Sequence, residues 1–170
     1  MAMRAVVALL SVPIAALAVL AGHALAQMPA VIAAPDETAV ITLHAEGAQL
    51  YQCKAGSDGK LAWIFREPIA ALILDGHTVG RHYRGPSWEH MDGSAVTAKA
   101  VGSSPGATVN DVPWLKLEVV SRRGDGVLDG VTTVQRINTN GGALAGACDR
   151  AGAFRGIPYS ADYVFLRSRS

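Results

Sequence analysis

The chain has 170 residues, half of them apolar, with 15 basic and 14 acidic side chains and two cysteines. Charge this evenly balanced makes the chain a poor candidate for nucleic acid, where a basic face would be expected, and for an anionic membrane surface. A small molecule, a neutral glycan or another protein remains as the partner.

Residues 1–26 read as an export signal. Arg4 supplies the positive start, residues 5–22 are apolar apart from Ser11, and Ala24-Leu25-Ala26 is an A-x-A cleavage site with the cut expected before Gln27. Left uncleaved, the same run would act as an anchor; its small residues and A-x-A ending favour cleavage, so no membrane span is expected in the mature protein. Removal of residues 1–26 leaves 144, with 14 basic and 14 acidic side chains, enough for one domain with its own core. Such a signal directs the protein to the periplasm or beyond the cell. In that oxidising compartment Cys53 and Cys148 are expected to form a disulfide. It would close about 95 residues, which the chain-entropy argument equates to about 4–5 kcal/mol.

Residues 27–36 hold two prolines and no period, and read as an extended leader before a single β domain over 37–170. Short strands between glycine-rich turns follow. Residues 39–44 are β-branched, and Glu46-Gly47 is expected to break them from 48–54, where Gln49, Tyr51 and Cys53 share one face. Residues 61–66 form a short apolar run that Pro68 is expected to end; 70–74 fit a strand or a helical turn equally. Asp75-Gly76 is a hairpin turn leading into 78–84. Residues 94–101 resume as a strand. Residues 113–121 alternate cleanly, with Leu115, Leu117 and Val119 on one face, and pair as a hairpin with 131–139. Trp63 and Trp114 read as core. Asn140-Gly141-Gly142 reads as a turn, and a loop with Cys148 precedes the last strand, where Tyr159, Ala161, Tyr163 and Phe165 share a face. The expected architecture is all-β: an antiparallel β-sandwich or partly open barrel of eight or nine short strands, with little helix.

The densest chemistry lies in residues 81–94, RHYRGPSWEHMDGS. Gly85-Pro86 and Asp92-Gly93 form turns, so the segment reads as a loop on a rigid scaffold. Several readings are open. Tyr83 and Trp88, beside His82, Glu89, His90 and Asp92, suit a pocket for a sugar or another small ring. His82, His90 and Asp92 would suit a divalent metal if the segment folded back, although their spacing matches no established signature and no cofactor is expected. A hydrolase would use Glu89 and Asp92 as a carboxylate pair, or His82 as base to Ser94. The bland alternative assigns these groups to packing and turn bonds. Arg136 shares a strand face with Thr132, Val134 and Asn138, and Glu89 or Asp92 would answer its charge if it were buried.

Seven segments in order carry a resemblance: GAQLYQC at 47–53, Trp63, HYRGPSWEHMDGS at 82–94, VPWL at 112–115, VQRINTNGG at 134–142, Cys148 and IPYSADY at 157–163. On them the chain resembles a family of exported bacterial and fungal proteins catalogued as a domain of unknown function, number 3455. The resemblance implies an exported, mostly-β domain and brings no catalytic residues. Tyr51-Gln52-Cys53 is also similar to the early Tyr-x-Cys of periplasmic C-type lysozyme inhibitors, which implies a protein-binding alternative. Together these readings favour a binding module for a small molecule or glycan at 81–94, monomeric or weakly oligomeric. A hydrolase or metal-dependent enzyme, or an inhibitor-like module, is the alternative.

Overall fold

A computed structural model describes residues 28–169 of the chain. The expected export signal lies outside the described residues. Within them no helix is long and apolar enough to cross a membrane.

Eight antiparallel strands follow one another around a closed sheet: β1 (Glu37–Ala55), β2 (Leu61–Leu74), β3 (His77–Tyr83), β4 (Ser87–His90), β5 (Ala95–Ser104), β6 (Trp114–Arg123), β7 (Thr133–Gly141) and β8 (Phe154–Ser168). Each strand pairs with its neighbour in sequence. β8 closes the ring on β1, from Glu37 opposite Ser168 to Gln52 opposite Phe154. Closure removes the free edges that an open sheet must protect.

The strands are longer than their sequence punctuation suggests. Glu46-Gly47 does not break β1. A Cβ at Gly47 would collide with the Ile69 carbonyl and Ala70 of β2, so the glycine permits close approach of two strands. Pro68 does not end β2 either. The register shifts there, with Leu50 opposite Glu67 and Tyr51 opposite Phe65, so Arg66 is the extra residue of a bulge that accommodates the nearby proline.

Alternation sends one face of every strand inward. Leu43, Ala45, Gln49, Tyr51 and Cys53 of β1 are buried, as are Tyr159, Ala161, Tyr163 and Phe165 of β8. Trp63 and Trp114, expected in the core, are only half-buried. The third tryptophan, Trp88, sits at the centre, edge-on to Tyr163 and Phe165 at ring separations of 5.2 and 6.1 Å.

The segment before β1 is not a loose leader. Ala30–Ile32 forms a 3-10 turn against the outside of the barrel. Gln135 of β7 donates to the Ile32 carbonyl (2.6 Å) and Lys116 of β6 to the Ala33 carbonyl (3.0 Å). Gly102 of β5 lets the Val31 carbonyl approach. This strap buries Gln135 on what would otherwise be a wet face.

The two ends of the barrel differ. Near the β4–β5 turn, the segment between β6 and β7 folds over the interior and buries Leu128 and Val131. At the opposite end, where β3 turns into β4 and β5 connects to β6, the interior stays open. Cys53 and Cys148 form a disulfide that ties the 142–153 segment to β1.

Candidate functional site

The 81–94 stretch is a β-hairpin rather than a loop. Residues 87–90 are β4, paired with β3 so that His82 lies opposite Trp88, Arg81 opposite Glu89 and Tyr83 opposite Ser87. The pleat therefore divides the expected site among three places.

His82 and Trp88 point inward. Their rings stack in parallel at 4.5 Å, and the Tyr163 ring tilts against His82 at 4.9 Å. His82 Nδ1–H donates to the Ser87 carbonyl at 2.9 Å, since a carbonyl can only accept. Burial, with Arg136 adding to it, pushes the imidazole pKa down to about 3, against the opposing effect of the Ser87 bond. His82 is therefore neutral near pH 7, with Nε2 as an acceptor.

Tyr83 and Glu89 point outward. Glu89 accepts from Arg81 (3.0 Å), Arg123 (3.0 Å) and the Tyr83 hydroxyl (3.2 Å). The Arg81 hydrogen bond is the main reason its carboxyl lies below the usual range. This is a solvated ion-pair cluster on the outer wall.

His90 and Asp92 latch the closed end. Asp92 accepts from the Ser94 hydroxyl and N–H and from the Val127 N–H, with His90 Nδ1 at 3.0 Å. Those bonds, the Ser94 hydroxyl first, hold its carboxyl far below the usual range. Ser94 Oγ in turn accepts from the Leu128 N–H. Asp92 thus fastens the covering segment to the β4–β5 turn.

Neither chemical alternative is assembled. His82 is inside the barrel and away from the His90–Asp92 pair, and among the described residues no three His, Cys, Asp or Glu side chains converge to hold a metal. Ser94 bonds Asp92 and Leu128, not His82. Glu89 and Asp92 occupy the wall and the end, each occupied by its own donors. Arg136 meets neither of them: its Nε donates to the Pro113 carbonyl at 3.0 Å and its guanidinium lies beside the Tyr163 hydroxyl. Asn138, expected on the same face as Arg136, is turned outward by the β7 bulge and donates to Asp162 at 2.8 Å. The turn at Asn140-Gly141-Gly142 is occupied by the chain itself, because Asp111 accepts the Gly141 N–H at 2.6 Å.

What does converge is an interior cavity at the open end, about 590 Å³ in volume. Its inner wall is His82, Trp88 and Tyr163; its apolar sides include Val112, Leu115 and Leu117; Phe65, Arg66, Arg84 and Arg136 also line it. Three of these, His82, Trp88 and Arg136, belong to the set expected from sequence. Gln49, Tyr51 and the β2 residues were not anticipated as site residues. Their signal was the alternation of β1, which places a polar Gln49 on a face otherwise destined for the core. Tyr51 is buried and held in place, donating to the Gly142 carbonyl and accepting from the Leu144 N–H, so the Tyr51-Gln52-Cys53 motif anchors a loop. Two buried donors on the lining residues, Trp88 Nε1 and Gln49 Nε2, have no hydrogen-bond partner. Both nitrogens are closed off from the cavity as well as from solvent, and the Gln49 amide lies beside the Tyr159 hydroxyl.

No curated protein and no solved structure matches the chain. A family model, described as "Protein of unknown function (DUF3455)", matches residues 33–76 and 73–167, which together span the whole barrel. The chain therefore belongs to the DUF3455 family.

Proposed function

We propose that the protein is an exported binding module that holds one small molecule in the open end of its barrel. The observation that carries this reading is the cavity of about 590 Å³, apolar along its sides and backed by the His82–Trp88 stack. Its size is in the range of small-ligand sites, and a closed barrel with one covered end is a common frame for them. The disulfide, together with the signal-like residues 1–26, supports action in the periplasm or outside the cell. A surface glycan site is less favoured by the geometry, because Tyr83 and Trp88 lie on opposite sides of the sheet and form no common aromatic shelf.

Titration with the neutral fluorophore N-phenyl-1-naphthylamine tests the reading. Saturable enhancement with one site per chain is expected. Ala100→Trp adds bulk at an exposed position on the cavity lining and is expected to abolish the signal while leaving thermal unfolding unchanged. Absence of enhancement, or equal enhancement in the variant, would overturn the proposal.

A further inference from the structure

The cavity's charge is one-sided. Arg66, Arg84 and Arg136 line it, and no Asp or Glu does. Arg66 is partly answered by Glu67, 3.0 Å from its Nε, and stacks on Phe154. Arg84 and Arg136 have no carboxylate partner among the described residues. His82 adds no positive charge near neutral pH and offers no anion a competing contact. The open end thus presents two guanidinium groups without a carboxylate partner, beside an apolar wall of Leu115, Leu117 and Trp88.

From this, and resting on the binding reading above, we infer that the ligand is a small amphipathic anion, with an oxyanion head such as a carboxylate and an apolar aryl or alkyl body. The head pairs with Arg84 and Arg136, where a planar carboxylate matches the guanidinium fork. The body lies along the apolar wall. A cation is repelled by the arginines, and a neutral analogue leaves them with water alone.

Matched probes separate head from body. Calorimetric titration compares 4-phenylbutanoate, 4-phenylbutan-1-ol and 4-phenylbutylamine, and in parallel decanoate, decanol and decylamine. In at least one series the acid is expected to bind about tenfold or more tighter than the alcohol, with the amine weakest. Added salt should narrow the gap. Arg84→Gln, at an exposed position that leaves the fold intact, should reduce the acid's advantage several-fold and leave the alcohol unchanged. Arg136→Gln, verified as folded by its melting curve, should do the same, and Arg84→Glu should favour the amine. Equal binding of acid and alcohol would overturn the anion inference and leave the binding reading standing. No binding of any probe would overturn both.

Discussion

Acidification from pH 7 to pH 5 probes the interior placement of His82. An exposed imidazole takes its proton near pH 6.5. In the barrel, desolvation between Trp88 and Tyr163 is the main force holding the ring neutral, and the pKa falls to about 3. Between these values the unfolded chain binds a proton that the folded chain refuses. The folded-state pKa is depressed, so this contribution is fully present above about pH 6.5, declines through the window and is lost near pH 3. Each pH unit inside the window removes about 1.4 kcal/mol, so about 2 kcal/mol should be gone at pH 5. Urea unfolding at pH 7, 6 and 5 measures it, with His82→Phe as the comparison. Phenylalanine keeps a stacked ring but cannot titrate, and every other group is common to both proteins. The parent's stability minus the variant's should therefore fall by about 2 kcal/mol between pH 7 and pH 5. Parallel curves would refute the claim that His82 is a neutral, buried part of the cavity wall.

Four other perturbations separate architecture from site. Trp88→Ala removes the central side chain and should cost about 3–5 kcal/mol by urea unfolding. Gly47→Ala forces β1 and β2 apart at Ile69 and should cost about 2 kcal/mol or more, against little for Gly156→Ala in β8, where an added Cβ meets only ordinary contact with Ala48, read in the same assay. Paired Cys53→Ser and Cys148→Ser should lower stability by about 4 kcal/mol, given the 95-residue separation, and the parent should show no free thiol when unfolded. Asp92→Ala should cost about 1 kcal/mol, discounted for its exposure, and should speed hydrogen exchange at the Val127 and Leu128 amides while leaving the distant cavity's ligand affinity unchanged.

The sequence made the strand faces legible and left the closure hidden. Period-2 alternation correctly grouped Gln49 with Tyr51 and Cys53, and Tyr159 with Tyr163 and Phe165, because one buried face imposes that pattern on any sheet. Glycine and proline were misleading as punctuation. Gly47 serves a strand crossing and Pro68 sits beside a bulge, and both uses need a long-range partner that local sequence does not reveal. The same holds for the site. Density of polar groups singled out 81–94, yet a strand sends neighbours to opposite faces, so His82 and Trp88 went in while Tyr83 and Glu89 went out. The remaining cavity wall comes from β1, β2, β5, β6, β7 and β8, and only ring closure brings Gln49, Leu117, Arg136 and Tyr163 together. Residues 28–36 lacked a period because they strap over Gln135 and Lys116 rather than join the sheet.

The most direct measurement is the indole N–H spectrum of the 15N-labelled protein during titration with 4-phenylbutanoate. The three tryptophans occupy different places: Trp88 on the cavity wall, Trp63 near the disulfide-tied segment, and Trp114 at the start of β6. Single Trp→Phe variants assign the three signals. The Trp88 resonance is predicted to shift saturably, further than the other two, and to stay fixed in Ala100→Trp. A stationary Trp88 signal, or movement confined to Trp63 and Trp114, would contradict a ligand site inside the barrel.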